Sequence, residues 1–223
     1  MKWNSKEEAQ KAHEDNYTSD NVLKQYGSPL QAHYHRIQFI INSVKPGALV
    51  LDVGCNGGAI GIQLMKKKCY VKGVDLVEHL VEKAKKRGIF AEVGQAEDLS
   101  RYPDNSFDSV ICAEVLEHLY DPIPAVKEAY RVLKPGGSYI VTVPHIKGFM
   151  ANRDNDDYLG DYHQQNFTFE MLDTLFHSVF DREKGNVGHT EIPYTEAYNK
   201  SSGIKRGVGG KYPPQWVGIL ATK

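Results

Sequence analysis

Along residues 30 to 44, apolar side chains return at Ile37, Ile40, Ile41 and Val44, the three- and four-residue spacing of one buried helical face. Ser28-Pro29 stands ahead of it as an N-cap with proline at the first helical position, and Pro46-Gly47 ends the pattern. Upstream, the stretch from Ser5 to about Asp15 is polar but helical in pattern, with Ser5 as its cap and Glu7 and Glu8 in the first turn, where the helix dipole favours acid. After Gly47 the period changes. Ala48 to Val53 is an apolar run carrying one acid and closed by glycines, as a strand buried on both faces reads. The pattern then predicts a helix over 60–68, a strand from Tyr70 to Val74 that ends at Asp75, and a helix over 78–87 stopped by Gly88. A strand over 90–93, a polar turn, a strand over 107–112 and a helix over 124–133 are expected next. Pro135-Gly136-Gly137 reads as a turn into a fifth strand over 138–143.

The remainder is less regular. Residues 168–176 predict a helix capped by Thr168 with Glu170 in its first turn, and 179–187 and 216–222 predict strands. Between these strands, 188–214 is rich in Gly, Pro, Tyr and Ser and predicts a long loop of the kind that covers a site or is disordered. Strands alternating with helices predict right-handed crossovers and a parallel sheet covered on both faces, the α/β doubly wound class. The expected organisation is a helical lid over 1–46 and one sheet domain over 47–223.

Charge narrows the classes. With 27 Lys+Arg against 28 Asp+Glu the net charge is -1, which argues against a protein that holds nucleic acid through its phosphates. The basic clusters Lys66-Lys67-Lys68 and 83–87 fall at helix C-termini, where the dipole accounts for them. No run approaches the about 18 apolar residues of a membrane span, so none is expected. The first residues mix both signs of charge without an apolar stretch, unlike a secretory signal. Three cysteines make no disulfide framework, and a reducing, cytoplasmic setting is the expectation.

The segment Val50-Leu51-Asp52-Val53-Gly54-Cys55-Asn56-Gly57-Gly58 joins a buried strand, an acid, a glycine-rich turn and a helix N-terminus. Asn56 stands where a further glycine would serve, and Asn is the side chain that best tolerates a left-handed backbone. Asp75 ends the second strand at roughly the twenty-residue interval that sets a carboxylate on a ribose diol. A tight strand-to-helix turn with a capping acid would look similar, but the second acid at this spacing favours a nucleoside ligand. The glycine spacing is not G-x-G-x-x-G, and Asp52 before the turn would repel a diphosphate while suiting an amino group and a sulfonium. An oxidoreductase is therefore the weaker reading. Three further strings carry the pattern on: Gly94-Gln95-Ala96-Glu97-Asp98-Leu99, Phe107 to Leu119 with Ala113-Glu114-Val115-Leu116-Glu117-His118, and Leu133-Lys134-Pro135-Gly136-Gly137.

On these motifs the chain, from about Leu49 to Val143, resembles the class I S-adenosylmethionine-dependent methyltransferases, especially the type 11 subgroup of ubiquinone and menaquinone biosynthesis. The resemblance implies a Rossmann-like, mostly parallel sheet of seven strands with an antiparallel last strand, and S-adenosylmethionine (product S-adenosylhomocysteine) across the strand ends. Position by position, it implies that Asp52, Gly54, Cys55, Asn56 and Gly58 border the methionine part. Asp75 and Leu76 meet the ribose; Ala96, Glu97 and Asp98 frame the adenine; and Ala113 and Glu114 line the sulfonium side. Tyr17 and Tyr26, ahead of the sheet, would close the site against water.

Methyl transfer from a sulfonium is an in-line displacement in which the enzyme mainly aligns the reactants. For a hydroxyl acceptor a general base helps, and His118, His145 and His163 are the candidates, each after a strand or before a helix at the ligand-binding end. Each could equally be a surface or supporting histidine. His33 and His35, two apart on a helix, point to different faces, so no metal is expected. The expectation is O-methylation of a small molecule by a monomer or homodimer. A protein or RNA methyltransferase and a silent cofactor-binding subunit are the alternatives; neutral charge and the lack of an added recognition domain weigh against the former.

Overall fold

The computed structural model describes residues 5, 7–8, 11, 34–145, 165, 167–180, 187–192 and 216–223. Its sheet has seven strands: β1 (Leu49–Val53), β2 (Tyr70–Asp75), β3 (Phe90–Val93), β4 (Phe107–Ala113), β5 (Leu133–Pro144), β6 (Val187–Ile192) and β7 (Trp216–Thr222). They lie in the order β3-β2-β1-β4-β5-β7-β6. The first five are parallel, and β7 runs antiparallel to both β5 and β6. The expected architecture, with its reversed last strand, is the observed one.

Period-two alternation decides the layers. Leu51 and Val53 of β1, Val110 and Cys112 of β4, and Tyr139, Val141 and Val143 of β5 face one side. There they pack against α4 (Ile123–Val132) and α5 (Phe169–His177). Val50, Ile111 and Ile140 face the other, against α1 (Tyr34–Ser43), α2 (Ala59–Lys66) and α3 (Glu78–Lys86). Helices on both faces leave the ends of the strands as the place where a ligand can reach the backbone.

Several local signals hold. Ser5 Oγ accepts the N–H of Glu8 at 3.2 Å, and Thr168 Oγ1 that of Met171 at 3.3 Å, so both expected caps form. Lys67, from the first basic cluster, donates to the carbonyls of Ile41 and Val44 at the end of α1. Cys55, Cys69 and Cys112 are free and buried. Among the described residues no helix is long and apolar enough to cross a membrane.

Three expectations are corrected. Pro135-Gly136-Gly137 is not a turn ahead of β5 but an excursion inside it, between the pairs Phe107–Leu133 and Ser109–Ser138. Gly136 takes φ 77°, and its N–H and the Gly137 carbonyl bond the backbone of Lys223, so the chain end supplies the missing partners. Residues Val179 and Phe180 do not start a strand: both N–H groups return to the Phe176 carbonyl and finish α5, while the Phe180 ring stacks 6.1 Å from Tyr139. The strand comes later, at Val187–Ile192, and takes the first residues of the expected 188–214 loop. It is an edge strand whose middle is exposed, so it carries no apolar run to announce it. The rest of that loop lies outside the described residues.

Candidate active site

The turn after β1 is built for position rather than for anion binding. Gly54 and Gly58 have φ of 73° and 80°, and Asn56 has φ 49°, the left-handed conformation expected of it. A side chain at Gly54 would strike Val115, and at Gly58 the positive φ is joined by the Ile89 side chain 2.5 Å from where a Cβ would lie, so the protein's own backbone and packing account for both glycines. Every backbone N–H from 54 to 58 already has an acceptor: the Val74 carbonyl takes Gly54 and Cys55, Asp75 Oδ2 takes Asn56 at 2.7 Å, Asn56 Oδ1 takes Gly57, and the Cys55 carbonyl takes Gly58. No donor of this turn is left to cradle a diphosphate. That is the structural reason a dinucleotide does not suit it.

Acids gather at the same end. Asp52 lies within β1, 1% exposed, and its Oδ2 has no hydrogen-bond partner among the described residues. Burial, with the Asp75 carboxylate adding, pushes its pKa up to about 7. Asp75 accepts from Asn56 through Oδ2 and from Val77 through Oδ1, at 2.7 and 3.0 Å; burial raises its pKa against the pull of those two amides. Each oxygen keeps a lone pair for a further donor. An orphaned buried carboxylate oxygen beside a half-satisfied one fits a ligand that brings an amino group and hydroxyls. Cys55 packs its sulfur against Gly73, where a side chain would come within 2.7 Å, as a small apolar residue. Leu76 is half-buried just past Asp75.

The turn after β3 places Ala96 in the core, Glu97 half-buried and Asp98 exposed. Asp98 Oδ1 accepts the Ser100 N–H at 3.0 Å, so this oxygen shapes the turn itself.

Beyond β4 the chain bends at Glu114, in the left-handed region with φ 57°. Its carboxylate is fastened from three elements. Thr142 Oγ1 donates to Oε1 at 3.2 Å, the Trp216 indole N–H donates to Oε2 at 2.8 Å, and Arg36 of α1 pairs with Oε1 at 3.8 Å. Ala113 closes β4 opposite Thr142. Glu117, in the following 3-10 turn Leu116–His118, is 1% exposed, and neither carboxylate oxygen has a hydrogen-bond partner among the described residues. Burial, then the neighbouring Glu114, holds its pKa well above the carboxylate range. His118 Nε2 lies 3.9 Å from Glu117 Oε1.

His145 follows β5 and is 3% exposed, its ring edge-on to Phe169 at 5.5 Å. His163, Tyr17 and Tyr26 lie outside the described residues. Gln165, two residues after His163, donates its backbone N–H to the Glu117 carbonyl and its side-chain amide to the Tyr120 carbonyl. Among the sequence candidates, Asp52, the glycine turn, Asp75, Ala96, Ala113, Glu114, His118 and His145 thus stand at the carboxyl ends of β1 to β5 or in the turns that leave them. The sequence reading missed Arg36 and Glu117. A signal for Arg36 existed: it stands four residues before Ile40, a cation on the apolar stripe of α1.

Comparison with known proteins bears on this geometry. Residues 51–141 match a family model described as a methyltransferase domain. Over 102 residues the chain is 37% identical to a ubiquinone biosynthesis O-methyltransferase of Xanthomonas oryzae, covering 43% of this chain and 43% of that protein. The chain thus spans under half the length of the curated relatives it matches. A solved S-adenosylmethionine-dependent methyltransferase of Thermotoga maritima superposes with TM-score 0.64 at 23% identity, covering 97% of this chain and 99% of that one. The Haemonchus contortus phosphoethanolamine N-methyltransferase 2, solved in complex with S-adenosyl-L-methionine, gives 0.64 at 16% identity over 84% of this chain and 51% of its own. These two likenesses speak to the fold.

Proposed function

We propose that residues 51–141, which match a methyltransferase-domain model, form an S-adenosylmethionine-dependent methyltransferase domain, and that the protein methylates a hydroxyl of a small-molecule acceptor. The observation that carries the cofactor half is the saturated glycine turn beside Asp52 and Asp75: acids without free amides suit a cationic nucleoside and repel a diphosphate. The name of the Xanthomonas relative supports oxygen as the acceptor atom.

S-adenosylmethionine, when bound, supplies a methyl already activated on a sulfonium. The protein's share is to hold, align and exclude water. In this reading the 54–58 turn and Asp52 hold the amino-acid part, with Arg36 supplying positive charge for its carboxylate. Asp75 and Leu76 take the ribose, and 96–98 the adenine. Ala113 and the Glu114 bend wall the reacting side, and Tyr17 and Tyr26 close it. Of the three histidines, His118 has the buried Glu117 carboxyl 3.9 Å from its Nε2, a neighbour that can orient the imidazole toward the acceptor's proton, so His118 is the proposed base. His145 and His163 belong to the acceptor wall in this scheme.

Calorimetry with S-adenosylhomocysteine, followed by turnover with paired phenols and amines, tests the scheme. Binding of the homocysteine nucleoside and methylation of phenols are expected, and His118→Ala should lower turnover by about a hundredfold while leaving nucleoside affinity in place. Tight NAD binding without nucleoside binding, or methylation of amines alone, would reject it.

A further inference from the structure

Between β3 and β4, residues 94–106 form neither helix nor strand, so no ladder satisfies their backbone. One side chain from α4 does much of that work. Arg131 donates through Nε to Glu128 Oε1 at 2.7 Å, through one terminal nitrogen to the Tyr102 carbonyl at 2.8 Å and Asp104 Oδ1 at 2.7 Å, and through the other to the Leu99 carbonyl at 2.8 Å and Glu128 Oε2 at 2.9 Å. Those five bonds use all the donors a guanidinium has. Glu128 Oε2 in turn accepts the Leu99 N–H at 2.8 Å, so both polar groups of Leu99 are tied to α4. At the other end of the same arch, the Gly94 N–H bonds the Asp75 carbonyl at 3.0 Å. Residues 95–98 therefore span two anchors, one on the strand end that carries Asp75 and one on Arg131.

We propose that Arg131, which touches no ligand, is a positioning residue that sets the 95–98 arch at the spacing an adenine requires. This rests on the assignment of that arch to the adenine of S-adenosylmethionine. A lysine cannot replace it, because one ammonium has neither the planar fork nor the five donors needed to reach Leu99, Tyr102, Asp104 and Glu128 together. A loosened arch loses its grip on the adenine 6-amino edge before it loses the ribose, which Asp75 holds independently.

The test compares S-adenosylhomocysteine with S-inosylhomocysteine, whose 6-amino group is replaced by a carbonyl, on the unmodified chain and on Arg131→Lys, Glu128→Gln and the exposed helix control Lys127→Ala. The unmodified chain and Lys127→Ala should prefer the adenosyl compound by about tenfold or more. In Arg131→Lys adenosyl affinity should fall about tenfold while inosyl affinity changes little, so the preference collapses toward one. If Arg131→Lys does not fold, Glu128→Gln, which keeps the arginine but leaves it and the Leu99 N–H to share one acceptor oxygen in place of two, carries the same comparison. Equal weakening of both nucleosides, no weakening, or an unmodified chain indifferent to the exchange would overturn the proposal. Absence of any homocysteine-nucleoside binding by the unmodified chain would instead overturn the cofactor reading on which it stands.

Discussion

Asp75 and Glu114 are two acids at the same end of one sheet, held by opposite means. Asp75 is fixed by backbone N–H groups of its own neighbourhood, Val77 two residues on and Asn56 in the adjoining turn. Glu114 is fixed by side chains from α1, β5 and β7, with Thr142 28 and Trp216 102 residues away in sequence. The first is in place once β1 and β2 pair. The second exists only after the N-terminal helix and the C-terminal strand have docked. On the proposed assignment, the cofactor side is preorganised by local geometry, while the reacting side reports assembly of the whole domain.

Removing each acid's function separates the two. Asp75→Ala should weaken S-adenosylhomocysteine by about a hundredfold, since it deletes the ribose acceptor and strands two amides, roughly 3 kcal/mol in all. Calorimetry reads this directly. An affinity within threefold of the unmodified chain would show that the ribose is held elsewhere and that the two acids do not divide the work.

The matching test on the other side is one of stability. Arg36→Ala leaves Glu114 without its cation, and with side chains 12% and 23% exposed the loss should be about 2 kcal/mol, below that of a fully buried pair. Adding Glu114→Gln should return about 1 kcal/mol, because the stranded charge goes with it. Urea unfolding of both single variants and the double variant measures the coupling. Additive losses would mean that the acid is held by Thr142 and Trp216 alone.

The same contrast explains what could be read in the sequence. Strands β1 to β4 announce themselves because each is a short apolar run ending in Gly, Asp or Ala, and the Asp52–Asp75 pair follows from their spacing. The left-handed bend at Asn56 was legible for the same reason: its cause is local. β6 was not, since Gly188-His189-Thr190-Glu191 has no apolar face and is ordered by its pairing with β7. Glu117 was visible as a letter, but its lack of a hydrogen-bond partner among the described residues is a property of packing, and Arg36 meets Glu114 only through the tertiary fold.

The last effect, one that pH switches on, concerns Asp52, which belongs to the locally built side yet is left unsatisfied by it. Its pKa is raised from 3.8 to about 7, so the folded chain holds a proton that the unfolded chain has released. Stability then falls as pH rises between those values, because the buried oxygen must ionise with no hydrogen-bond partner among the described residues. Asp52→Asn removes the ionisation. At pH 3, where Asp52 is neutral in the folded and the unfolded chain alike, the variant and the unmodified chain should be nearly equal in stability. By pH 8 the variant should be the more stable of the two. Thermal or urea unfolding at the two pH values checks the sign. A variant that loses stability at pH 8 would mean that the carboxylate is satisfied as an anion in the free protein. The orphaned oxygen would then be no invitation to a ligand's amino group.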